Sequence, residues 1–137
     1  MWKNILSKLS TIFLIFIAFS SYTQPTALTL SECNNITADL NSTAPAEVDQ
    51  STIYTGSECI TRNNDSEVRL SYEMELIDGW ILTPEAIKNI LLPDLITFWC
   101  TNPDQKLFLD RVGLVLYRYN YSDGTHIGEA EISVNDC

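Results

Sequence analysis

Between residues 68 and 76, apolar Val68, Leu70, Tyr72, Met74 and Leu76 alternate with Arg69, Ser71, Glu73 and Glu75. This is the period of a strand with one buried face. Tyr54 to Thr61 is also rich in strand-forming residues, and the polar cluster Arg62-Asn63-Asn64-Asp65 separates it from that run. The two segments therefore predict a hairpin. A second hairpin is marked by Asp123-Gly124, the pair that a two-residue type I′ turn favours. Counting outward from such a turn pairs Tyr121 with His126, Tyr119 with Gly128, Tyr117 with Ala130 and Val115 with Ile132 on one face. The opposite face pairs Arg118 with Glu129 and Leu116 with Glu131.

Helical signals lie before and between these hairpins. Leu30, Ile36 and Leu40 give a weak helical period from near Ser31, bounded by Pro45. Thr83-Pro84-Glu85 supplies a cap, a preset N1 and an acid at the positive helix end, followed by the apolar stripe Ile87, Ile90 and Leu91. Pro93 predicts a break or kink near Leu92 before Leu95, Ile96, Phe98 and Trp99 resume helical spacing. A further helix is predicted from Asn102, with Gln105 at N3 completing a capping box, to near Gly113. Together these elements predict one α+β domain, an antiparallel sheet of about four strands with helices packed on one face.

The front of the chain changes the picture. Lys3 and Lys8 precede an apolar run from Ile12 to Phe19, with Ala18 and Ser20 at cleavage-site spacing. That is the layout of a secretory signal peptide over residues 1–20, leaving a mature domain of residues 21–137. The run is shorter than the roughly 20 apolar residues a bilayer span needs, so no membrane span is expected after cleavage. Export to the periplasm or the extracellular space is predicted. Loss of Lys3 and Lys8 with the leader takes the formal charge from −10 to −12. Such a field disfavours nucleic acid and favours solubility or a basic protein partner.

Cys33, Cys59, Cys100 and Cys137 all follow the expected cut, and an even number in a small exported domain predicts two disulfides. Three pairings are open; Cys33 with Cys59 and Cys100 with Cys137 is favoured because each would tie neighbouring segments. Each bridge would remove about 3 to 4 kcal/mol of unfolded-state entropy. Zinc is disfavoured, since no two cysteines lie within four residues and His126 is the single histidine. Leu30-Ser31-Glu32-Cys33 is a poor lipidation site, because Glu32 puts a charge where the cut needs a small residue.

Cys100-Thr101-Asn102-Pro103, Phe108-Leu109-Asp110, Leu116-Tyr117-Arg118-Tyr119, Asp123-Gly124 and the closing Asp136-Cys137 resemble the C-terminal half of a group of small bacterial exported proteins. In that group a helix ending at a cysteine precedes a two-stranded hairpin that closes on Asp-Cys. Leu40-Asn41, Pro45, Val48-Asp49 and Thr52 resemble it weakly, and the chain departs from it at Ile53-Tyr54 and Cys59. The resemblance implies export and an α+β fold and carries no activity with it. It also implies a bacterial source, in which the sequons at Asn35, Asn41, Asn64 and Asn120 would carry no glycan.

Candidate chemistry is sparse. The chain has no G-x-S-x-G elbow, no phosphate-cradling glycine loop and no H-E-x-x-H helix. His126 reads as a polar turn residue, and Trp80 and Trp99 as core. No cofactor motif is present, and oligomeric state is not legible. Glu73 with Glu75, and Glu129 with Glu131, each project to one face of a strand. They are the candidate partner-facing acids of a noncatalytic, protein-binding or envelope-associated protein. The alternative is a small periplasmic hydrolase of glycan or cell-wall polymers using these carboxylates, since glycosidases work with such a pair.

Overall fold

A computed structural model describes residues 27–64 and 67–137. The expected leader over residues 1–20 lies outside them. The chain forms α1 (Leu30–Asn41), β1 (Ala46–Glu47), β2 (Thr52–Arg62), β3 (Glu67–Leu76), α2 (Pro84–Ala86), a π-helical segment (Ile87–Leu91), α3 (Leu92–Thr101), α4 (Pro103–Val112), β4 (Leu114–Asn120), β5 (His126–Ser133) and a closing 3-10 turn (Val134–Asp136). Among the described residues, no helix is long and apolar enough to cross a membrane.

The class is α+β, but the sheet differs from the expected four antiparallel strands. It has five, in the order β1-β2-β3-β4-β5. The additional strand is the short β1, whose Ala46 and Glu47 pair with Tyr54 and Ile53; two residues are too few to leave an alternation in the sequence. The sheet is also mixed, because β3 and β4 run parallel. A parallel neighbour needs a crossover of a dozen residues or more, and the helical stretch from Pro84 to Val112 supplies it. Alternation specifies a strand's buried face but not its direction relative to a neighbour.

The β2–β3 hairpin forms as expected, pairing Ser57 with Tyr72 and Cys59 with Leu70. In β4–β5 the predicted pairs Val115 with Ile132, Tyr117 with Ala130 and Tyr119 with Gly128 all form. The turn itself is different: Tyr121 N–H donates to Thr125 C=O and Asn120 lies opposite His126. Ser122, Asp123 and Gly124 make a three-residue loop with Gly124 at φ 87°, the left-handed position such loops end on. Ile127 is the additional residue that restores the register beyond it.

Among the described residues, helices cover one face of the sheet. Tyr54, Tyr72 and Tyr117 stand across β2, β3 and β4 on that face, with Tyr72 stacked on Tyr117 at 4.8 Å between centroids. The fully buried Trp99 donates its Nε1–H to Tyr117 Oη at 3.1 Å. Both disulfides pair as favoured: Cys33–Cys59 ties α1 to β2, and Cys100–Cys137 ties α3 to the C-terminus.

The region around Pro93 is continuous helix rather than a break. Leu92 N–H reaches back five residues to Ile87 C=O, a π turn that takes in one surplus residue. The buried stripe then runs in steps of four, Ile87, Leu91, Leu95 and Trp99. The widened turn rotates Ile90 out of the expected stripe to 50% exposure. Trp80, expected in the core, is 38% exposed on the loop before α2. Gln105 does not complete a capping box. Asn102 Oδ1 accepts from Asp104 N–H, while the Gln105 side chain is buried with no hydrogen-bond partner for either amide atom among the described residues.

The β2 margin of the sheet is sealed by a side chain. Asn41, the last residue of α1, donates from Nδ2 to Ser57 C=O at 3.0 Å and accepts at Oδ1 from Ser57 N–H at 2.6 Å. It thus satisfies both outward backbone groups as a neighbouring strand would. Gly56 makes room for it, since a Cβ there would lie 3.1 Å from Asn41 Oδ1. Asn41→Ala is expected to cost about 1 to 2 kcal/mol, read as a lower urea midpoint at unchanged m-value. Asn41→Asp keeps the acceptor but sets a carboxylate oxygen against Ser57 C=O at the C-terminal end of α1, and is expected to cost at least as much as Asn41→Ala.

Candidate functional site

The face of the sheet opposite the helices carries the charge. Strand alternation sends Glu58 of β2, Glu73 and Glu75 of β3, Arg118 of β4, and Glu129 and Glu131 of β5 to this side. Glu73, Arg118 and Glu129 stand in one row across three strands. Arg118 is shared by three carboxylates: its Nη1 lies 3.0 Å from Glu58 Oε1 and 3.3 Å from Glu73 Oε1, and its Nε lies 3.3 Å from Glu129 Oε1. The Nε contact is one of charge, without the geometry of a hydrogen bond. Ser71 Oγ donates to the same Glu73 oxygen at 3.2 Å.

One guanidinium against three carboxylates leaves local negative charge in surplus. The individual pairs are half-exposed, and such pairs contribute about 0 to 1 kcal/mol each, so the row adds little to stability. Its consequence is electrostatic: an acidic sheet face with charge uncompensated from within the row. Nearer the β2–β3 turn, Arg69 and then Asn63 hold the Glu67 carboxyl below the usual carboxylate range by hydrogen bonding.

The four acids singled out from the sequence therefore share one face. Glu73 and Glu129 meet through Arg118, whereas Glu75 and Glu131 join no ion pair among the described residues. Glu58, opposite Ser71 and so two residues off that row, completes the cluster around Arg118 and was not anticipated. The signal for its face was present, since counting back from a two-residue Asn63-Asn64 turn places Glu58 opposite Arg69, on the same face as its actual partner Ser71. His126 lies at the end of β5, its Nδ1 3.0 Å from Asn120 Oδ1 and its Nε2 4.0 Å from Glu129 Oε1. Among the described residues no cysteine is free, and no group of three or more His, Cys, Asp or Glu side chains is placed to hold a metal ion. Among the described residues no helix packs on the face from which the carboxylates project, although Ser71 and Leu116 on it are buried, and three of the carboxylates are tied by a cation. A glycosidase pair instead faces each other across the bond to be cut.

Among the described residues the architecture is thus an α+β arrangement of one helical layer on a five-stranded mixed sheet, closed by two disulfides, with an acidic opposite face. No family model and no curated protein matches the sequence. Among solved structures it is similar to the crystal structure of a candidate secreted protein of Pseudomonas aeruginosa. The TM-score is 0.59 at 11% identity, over 79% of this chain and 91% of that one. The likeness at that identity is one of fold.

Proposed function

We propose that this is an exported, noncatalytic protein whose acidic sheet face binds a basic protein partner, in the periplasm or outside the cell. The observation that carries the reading is the cluster of Glu58, Glu73 and Glu129 around a single Arg118, flanked by Glu75 and Glu131, which join no ion pair among the described residues. A face with surplus charge attracts a partner of opposite sign and accelerates its encounter. Export is supported by the leader pattern in residues 1–20 and by two disulfides, which persist in oxidising compartments. The naming of the Pseudomonas protein of like fold as a candidate secreted protein agrees with it, as does the resemblance to small bacterial exported proteins.

The test is a variant carrying Glu73→Gln, Glu75→Gln, Glu129→Gln and Glu131→Gln. Binding of the disulfide-bonded protein to immobilised basic proteins from the cell envelope is measured along a salt gradient. Wild type is expected to elute at higher salt than the variant, with association slowed about tenfold or more in the variant. Equal elution of the two proteins would remove the acidic face from the account. Release of reducing ends from peptidoglycan by wild type, lost in the variant, would replace it with hydrolysis.

A further inference from the structure

The two margins of the sheet are finished differently. At β2, outer backbone groups meet β1 at Ile53 and Tyr54 and the Asn41 amide at Ser57, and the Cys33–Cys59 bridge holds α1 to the strand. At β5 no described residue forms a neighbouring strand. The hydrogen-bonding phase of β5 follows from its two ends. Val134 N–H donates to Gly113 C=O, and Tyr121 N–H donates to Thr125 C=O. Leu114·Ser133 and Asn120·His126 are therefore pairs that exchange no bonds between themselves. Alternation then makes Leu116·Glu131 and Arg118·Glu129 pairs of the same kind. In such pairs the N–H and C=O groups point away from the partner strand, so those of Glu129 and Glu131 face outward from the margin. Ser133, next in phase, is closed off because its N–H donates to Asp136 Oδ2 at 2.7 Å.

We propose that β5 accepts an extended segment of a basic partner as a sixth strand, held by the outward N–H and C=O groups of Glu129 and Glu131. The inference rests on the acidic-face reading and names how that face is engaged. Residues directly opposite one another in a ladder point their side chains to the same face. The incoming residues opposite Glu129 and Glu131 therefore lie on the acidic side. Two glutamates two positions apart select lysine or arginine at two positions of the same spacing, with a residue between them that faces the helical side. A second copy of this chain is a poor occupant, because antiparallel β5 pairing would bring Glu129 or Glu131 against a glutamate of the other copy. Like charges directly opposite one another destabilise a sheet pair. Charged side chains along an edge also discourage indiscriminate pairing, and here they do so for every segment except a cationic one.

The probe is a labelled peptide of alternating lysine and valine, compared with the same peptide N-methylated on its pairing edge. Binding is followed by fluorescence anisotropy, and amide hydrogen exchange of the disulfide-bonded protein is followed by NMR. The expected result is slowed exchange at the Glu129 and Glu131 amides on adding the unmodified peptide, and at least about tenfold weaker binding of the methylated one. Glu131→Pro removes an outward donor without breaking a bond to β4 and is expected to weaken binding about tenfold or more, against a smaller loss for Glu131→Gln. Glu73→Gln with Glu75→Gln leaves the margin intact and separates the two levels of the proposal. If binding falls there, equally for both peptides, and is indifferent to Glu131→Pro, the acidic face stands and strand addition is overturned. Binding indifferent to salt and to every glutamate change overturns the face reading itself. Absence of binding at millimolar peptide, or slowed exchange at Glu129 and Glu131 that rises with protein concentration without peptide, overturns the basic occupant.

Discussion

Replacing Cys100 and Cys137 together by serine is expected to lower the unfolding free energy by about 4 kcal/mol, and replacing Cys33 and Cys59 by about 3.5 kcal/mol. The magnitudes follow from sequence separations of 37 and 26 residues closed by the two bridges. The longer loop removes slightly more entropy from the unfolded chain. Small domains have about 5 to 15 kcal/mol in total, so losing both bridges takes away half or more of the stability at a typical value. Urea unfolding followed by far-ultraviolet circular dichroism, with and without reductant, measures this directly. A reduced protein with a midpoint within experimental error of the oxidised one would show that the bridges are incidental to the fold.

Alkaline pH is expected to unfold the protein more steeply than its carboxylates and lysines would account for. Tyr72, Tyr117 and Tyr119 are held well above the ordinary phenol value of 10.0, in each case chiefly by burial. Neighbouring charge adds to this at Tyr72 and Tyr119, while the Trp99 hydrogen bond partly offsets it at Tyr117. The unfolded chain releases these protons near its ordinary phenol value and the native state keeps them, so stability is full below that pH and is lost as pH rises above it. Three retained protons correspond to a slope of about 4 kcal/mol per pH unit. Urea midpoints measured across this range, with tyrosinate absorbance recorded in parallel, give the slope. Tyr119→Phe should flatten it by about a third, and an unchanged slope in a variant lacking all three phenols would refute the assignment.

Much of the fold was written in short-range patterns. The alternation from Val68 to Leu76 placed β3 and its buried side correctly, and the tyrosines of β4 against Gly128 and Ala130 of β5 carried their own register. Asn102-Pro103 and Gly113 marked both ends of α4. What was not legible depends on partners distant in sequence or on one-residue adjustments. The direction of β4 beside β3 is set by the helical crossover rather than by either strand. The π turn at Ile87–Leu91 inserts a residue that no propensity announces, and with it Ile90 turns outward.

The acidic site was legible one strand at a time. Glu73 with Glu75, and Glu129 with Glu131, follow from alternation, and the Arg118·Glu129 pair follows from the hairpin. Their union on one surface does not, because it requires β3 and β4 to be neighbours. That adjacency delivers Glu73 and Glu58 to a guanidinium that pattern reading assigns to Glu129 alone.

The amide of Asn41 bonded to both backbone groups of Ser57 also limits what assembly this molecule can enter. Endless strand-on-strand stacking needs a receptive rim at each end of every subunit, and one rim here is interrupted at its middle by the chain's own side chain. Whatever docks at the opposite rim terminates there, so association by that route yields a finite complex and not a fibre.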